Sequence, residues 1–137
     1  MIAGRVKREP LASGLSISES VSVSGPGRWT YVSGRVPVDG AGTVTEGPFR
    51  AQAESVFDQL GEALDRAGAR LEDVIKLTVF LTDLAGLNDV NAVRAERFGA
   101  MLPASSAVQV SGLYGGAQLE IEAVAFTVEA SSAGESR

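Results

Sequence analysis

Residues 74–82 read VIKLTVFLT, and Lys76 is the only charged side chain among them. Val, Ile and Thr carry branched β-carbons that suit pleated backbone. A nearly continuous apolar run of this length predicts a central strand buried on both faces. Upstream the period changes. Ala53, Val56, Phe57, Leu60, Leu64 and Ala67 recur at helical spacing, with Glu54, Asp58, Glu62 and Arg66 elsewhere around the helix. Pro48 suits the first helical turn and Gly68 the stop, so a helix is expected from Phe49 to about Ala67. Downstream, Asp83 can cap the next element, and Leu87, Val90, Phe98 and Met101 mark a second helix ending before Pro103.

Working outward, Ser106–Leu113 and Gln118–Val128 read as two more strands separated by Tyr114-Gly115-Gly116. Toward the N-terminus, Ser18–Ser24 alternates, with Val21 and Val23 on one face. Gly25-Pro26-Gly27 is a turn signal, and Trp29–Val36 a strand expected to close a hairpin with the first. Residues 1–15 read as an irregular lead-in, Pro37–Gly47 as a loop, and the polar tail 129–137 as a flexible end. The expected order is β-β-α-β-α-β-β, an α+β domain over residues 1–128. Two helices cover one face of such a sheet. The other face needs a partner, and a second subunit is the natural candidate.

Composition narrows the chemistry. The chain has 137 residues, enough for one domain, with 45% hydrophobic and 21% charged residues. It contains no cysteine and no histidine. That removes disulfides, thiolates, Ser-His and Cys-His pairs, and the side chain that ordinarily titrates near neutrality. No carboxylate spacing resembles a calcium loop and no glycine pattern a nucleotide loop, so neither metal nor cofactor is expected. The net charge of −5 opposes binding to a polyanion, and Arg5, Lys7 and Arg8 form too short a basic cluster to reverse that, so no nucleic-acid partner is expected. No apolar run is long enough to span a membrane and no apolar segment comes after the basic N-terminus, so no membrane partner is expected and a cytoplasmic location is.

The last strand is where chemistry would concentrate. At a period of two, Leu119, Ile121, Ala123 and Ala125 share one face, while Glu120, Glu122, Val124, Phe126 and Val128 share the other. Two carboxylates thus stand about 7 Å apart beside an apolar surface. They can hold a water or pass a proton, or they can pair with basic residues across a subunit contact or face solvent. Ser33-Gly34 interrupts a strand, which suggests close approach of a ligand or another backbone, or else a bulge. By alternation Ser33 and Arg35 share a face. Asn91 borders the apolar stripe of the second helix, where an amide either ties down a neighbour or meets a ligand.

Taken together, the segments TEGPFRAQAESVFDQLGEALDRAGARLEDV (45–74), VIKLTVFLTDL (74–84), the Val90-Asn91 pair, LPASS (102–106) and LEIEAVAF (119–126) resemble the RidA/YjgF family. The likeness runs from about Ser18 to Val128. It implies a chorismate-mutase-like fold and a homotrimer with pockets between adjacent subunits. Active members of the family hydrolyse reactive imines and enamines derived from amino acids, releasing ammonia without cofactor or metal. A pocket arginine clamps the substrate carboxylate, a strand glutamate positions the attacking water, and a serine-glycine pair and a helix asparagine line the site. Carried over by position, these imply Ser33 and Gly34, Asn91, and Glu120 as the catalytic carboxylate.

The arginine does not carry over. Its motif reads PARS in active deaminases, and Pro103-Ala104-Ser105-Ser106 puts Ser105 in that slot, with Ala107 where a cysteine is often found. A tyrosine frequent near the start of the family's pattern is replaced around Ile17. Losing one partner of a buried charge pair typically costs about 2–5 kcal/mol, so weak or absent activity on classical 2-imino acids is expected. Three readings are open. The chain could be an enzyme for a neutral or differently charged intermediate, performing hydrolysis, tautomerisation or ring closure with Glu120 as acid, base or water holder. Arg35 could swing in to rebuild the clamp. Or the trimer could be a noncatalytic ligand sensor or binding module. Relatives described as ribonucleases offer a poor precedent for an acidic chain without histidine.

Overall fold

The structure is a computed structural model describing residues 4–12 and 15–129; of the polar tail, 130–137 lie outside the described residues. Its strands are β1 (Arg5–Pro10), β2 (Ser18–Ser24), β3 (Gly27–Arg35), β4 (Val74–Leu81), β5 (Ala104–Gln109) and β6 (Leu119–Val128). Its helices are α1 (Phe49–Arg66) and α2 (Leu87–Phe98), with single 3₁₀ turns before β4, α2 and β6. One six-stranded mixed sheet runs β1-β2-β5-β4-β6-β3.

β4 takes the middle of the sheet because it is the chain's richest run of branched apolar residues. It pairs in parallel with β5 and antiparallel with β6. Leu77, Val79 and Leu81 point to the helix side and are fully buried. The opposite row, Lys76, Thr78 and Phe80, is only half-buried. The expectation of burial on both faces is therefore corrected. Both helices lie on one face, and the other carries exposed Trp29, Tyr31, Val108 and Val128.

α1 follows its sequence pattern closely. Ala53, Val56, Phe57, Leu60 and Leu64 are fully buried in the core. The helix stops where Gly68 takes φ +80°, with Gly68 N–H donating to Asp65 O at 3.0 Å and Ala69 N–H to Leu64 O at 2.8 Å. This is the paired closure that a left-handed glycine permits. Ala67, expected in the apolar stripe, is instead exposed at that cap. Phe57 meets Phe98 of α2 edge-on at 6.0 Å, and Arg97 pairs with Asp58 at 2.8 Å across the two helices. Met101 lies beyond α2 and is exposed, so it marks no helical turn. β5 begins and ends earlier than the expected Ser106–Leu113.

The N-terminal third departs most from expectation. Arg5–Pro10 is a strand, paired along its length with β2. β2 and β3 form no ladder; β3 pairs with β6 and β2 touches β5 only at Ser18–Ala104. Gly25-Pro26 does turn the chain, but between strands four places apart in the sheet order. The β1–β2 ribbon therefore crosses one end of the sheet. Arg8 fastens it there, donating to Val74 O at 3.2 Å, Leu102 O at 2.8 Å and Glu72 O at 2.9 Å. These bonds give a charged donor to carbonyls at or just before the starts of β4 and β5. No helix among the described residues is long and apolar enough to cross a membrane.

Candidate functional site

One half of the candidate site lies on the helix side. Ser105 pairs with Leu77, so its side chain points to the helix-covered face, toward α2. Asn91 and Arg94 stand one turn apart on α2 and face it. Together with Leu15, Ile17, Leu87 and Ala107 they line a cavity of about 240 Å³. Asn91, Ser105 and Ala107 are thus brought together as expected, and Ile17 joins them.

Arg94 is the residue the sequence reading missed. It is only 3% exposed. Its Nε donates to Ser16 O at 2.8 Å and Ser16 Oγ at 3.3 Å, Nη1 lies 3.5 Å from Ser105 Oγ, and Nη2 donates to Asn91 Oδ1. Ser16 Oγ in turn donates to Asn91 O at 2.7 Å, pinning the loop over the helix. Every acceptor is neutral, and among the described residues Arg94 forms no ion pair. Burial pushes its pKa down to about 10, which leaves it a cation at neutral pH. The available signal was its register: Leu87, Asn91, Arg94 and Phe98 recur at 4, 3 and 4 residues, so a lone arginine stands in the buried stripe.

The other half lies on the open face of the sheet. Glu120 sits opposite Phe80 of β4 and beside Gly34 of β3. A Cβ built on Gly34 would overlap the Glu120 carboxylate, coming within 2.8 Å of its Cδ. The glycine is therefore needed for close approach rather than for a left-handed backbone. The β3–β6 register passes from Val32–Ala123 to Arg35–Ile121, three steps against two. That bulge breaks the alternation. Exposed Ser33 and half-buried Gly34 occupy it, while Arg35 falls opposite Ile121, a core residue on the helix-side face. The expectation that Ser33 and Arg35 share a face is overturned by this extra residue. Arg35 Nε is buried without a partner among the described residues. β3 also stands three places from β5, roughly 14 Å at the usual spacing, so Arg35 does not approach Ser105 of its own chain. Glu122 is exposed, and neither strand glutamate forms an ion pair among the described residues.

The two halves face opposite ways. Within one chain the sheet separates the Asn91–Arg94–Ser105 cavity from Glu120 and the Ser33-Gly34 bulge. A single ligand meets both only if each half comes from a different copy.

Residues 13–127 match the model of the family described as Endoribonuclease L-PSP. A RutC family protein of Pyrococcus abyssi is 38% identical over 101 residues, covering 73% of this chain and 80% of that protein. The human 2-iminobutanoate/2-iminopropanoate deaminase is 36% identical over 99 residues, 72% of each chain. The crystal structure of RidA from an Antarctic Psychrobacter matches with a TM-score of 0.69 at 34% identity, covering 87% of this chain and 94% of that one. With this family model, these relatives and the matching sheet and helices, the chain belongs to the RidA/YjgF family.

Proposed function

We propose that this protein hydrolyses imine or enamine intermediates at a site completed between subunits of a homotrimer, without metal or cofactor. The observation that carries the reading is the Glu120 carboxylate, lodged against Gly34 and free of any ion pair among the described residues. A carboxylate so held can accept a proton from a water attacking the C=N carbon, while the nitrogen takes up a proton. The resulting carbinolamine then breaks its C–N bond: the hydroxyl proton passes to the nitrogen, C=O forms, and ammonia leaves. The names of the human, rat and mouse relatives, all 2-iminobutanoate/2-iminopropanoate deaminases, support the reaction class.

The opposed faces of the two half-sites support assembly between copies, as do the exposed apolar side chains of Trp29, Tyr31 and Val108 on the open face. Weak turnover of 2-imino acids was expected because Ser105 leaves its slot without a fixed cation. Arg94 stands in the same cavity, so that expectation no longer follows from charge alone. The test is hydrolysis of imines generated in situ by an amino-acid oxidase, followed by semicarbazide trapping of the imine that remains. Wild type should clear the imine faster than buffer, and Glu120→Gln should fall by about 10²-fold or more. Clearance no faster than buffer would favour a noncatalytic ligand-binding protein, and clearance unchanged in Glu120→Gln would remove this carboxylate from the reaction.

A further inference from the structure

We propose that Arg94 is the carboxylate anchor of this site, presented by α2 rather than by β5. The inference rests on the reading that the helix-side cavity is one half of the reaction site. Five side-chain ion pairs occur among the described residues, all between partly or largely exposed groups, and none includes Arg94. The cation of a residue only 3% exposed, matched only by neutral acceptors, is electrostatically incomplete. Guanidinium has five N–H donors. Each of its three nitrogens here has a protein acceptor, which leaves one hydrogen on each terminal nitrogen without one among the described residues. Two donors on neighbouring nitrogens match the two oxygens of a carboxylate.

Ser105 fits this arrangement. An arginine at 105 would put a second permanent cation against the first, whereas a hydroxyl 3.5 Å from Nη1 can share the bound oxygen. Asn91 orients the guanidinium through Oδ1 and keeps its own N–H₂ for the ligand. The remaining walls, Leu15, Ile17, Leu87 and Ala107, are apolar, and the cavity measures about 240 Å³. The ligand class is therefore a small monocarboxylate carrying a short aliphatic group. β5 loses its arginine and α2 supplies one across the same cavity.

The test compares binding of 2-oxobutanoate and its uncharged amide, 2-oxobutanamide, by titration calorimetry, beside kcat/KM for the imine of 2-aminobutanoate. Wild type should prefer the carboxylate by about 30-fold or more. Arg94→Gln should abolish the preference, and Arg94→Gln with Ser105→Arg should restore part of it, which a purely structural role for Arg94 would not produce. Equal affinity of wild type for the two ligands, or a preference that survives Arg94→Gln, overturns the proposal. If Arg94→Gln does not fold, Arg94→Lys decides: losing the paired donors should lower the preference about tenfold, and an unchanged preference again overturns it. Selective, Arg94-dependent binding without imine hydrolysis would sink the enzymatic reading and leave the anchor standing. Hydrolysis with unchanged kcat/KM in Arg94→Gln would do the reverse.

Discussion

The Glu120 carboxylate occupies the volume that a side chain at Gly34 would fill. The bulge that Gly34 shares with Ser33 brings β3 against β6 at that point. Because the obstructing atoms are the far end of a flexible side chain, Gly34→Ala has a cheap way out: Glu120 swings aside. The melting temperature should stay near wild type while imine turnover falls at least about tenfold, approaching Glu120→Gln, since a displaced base loses its contribution. Unchanged turnover would show that the carboxylate position is irrelevant.

The carboxylate preference should be flat in pH across the neutral range. The chain has no histidine, and the cavity around Arg94 is lined by Leu15, Ile17, Leu87, Asn91, Ser105 and Ala107, none of which titrates. Burial lowers the Arg94 pKa to about 10, so the guanidinium is protonated below that value and loses its charge only as pH rises through it. Affinity for 2-oxobutanoate is thus expected to be constant from about pH 6 to 9. A decline centred near neutrality would point to a different anchor.

How far the sequence carried these inferences depended on whether the deciding contacts were local. α1 was legible to its last turn because Ala53, Val56, Phe57, Leu60 and Leu64 report one helix face, and Gly68 reports the stop. β6 was legible because its alternation holds from Leu119 to Ala125. Strand pairing is not local. RVKREP carries little apolar signal, so β1 went unseen, and Gly25-Pro26 suggested a hairpin between strands that pair elsewhere. The site shows the same divide. Ser33, Gly34, Asn91 and Glu120 stood out from the residue pattern, whereas Ser105 and Ala107 entered only through the family likeness. Arg35 was read on the face of Ser33 because strict alternation cannot show the one inserted residue that flips a strand's faces. Arg94 becomes meaningful only when α2 is laid against β5.

Arg28 should contribute measurably to stability although it is exposed. Its Nη2 donates to Gly68 O at 2.6 Å and Ala67 O at 3.4 Å, at the C-terminal end of α1. A cation there satisfies carbonyls left without helical partners and meets the negative end of the helix dipole. Arg28→Ala should cost about 0.5–1 kcal/mol, read as a shift in the urea midpoint with an unchanged slope. Arg28→Lys should recover part of the loss. A midpoint unmoved by Arg28→Ala would mean that water serves these carbonyls equally well.

The open sheet face supplies the sharpest test of assembly. Tyr31 is 75% exposed in the isolated chain and lies opposite Val124, the half-buried centre of that face. If copies pack there, both positions become dry, and a carboxylate introduced at Val124 would be buried without a partner. Wild type should sediment as a species of three times the 14.2 kDa chain. Val124→Asp should dissociate it while keeping the fold, because the side chain points away from the helices and the core. Loss of imine turnover should accompany dissociation, since Glu120 and Arg94 face opposite sides of one sheet and meet only across copies. A wild-type monomer, or a dissociated variant with full turnover, would refute the shared site.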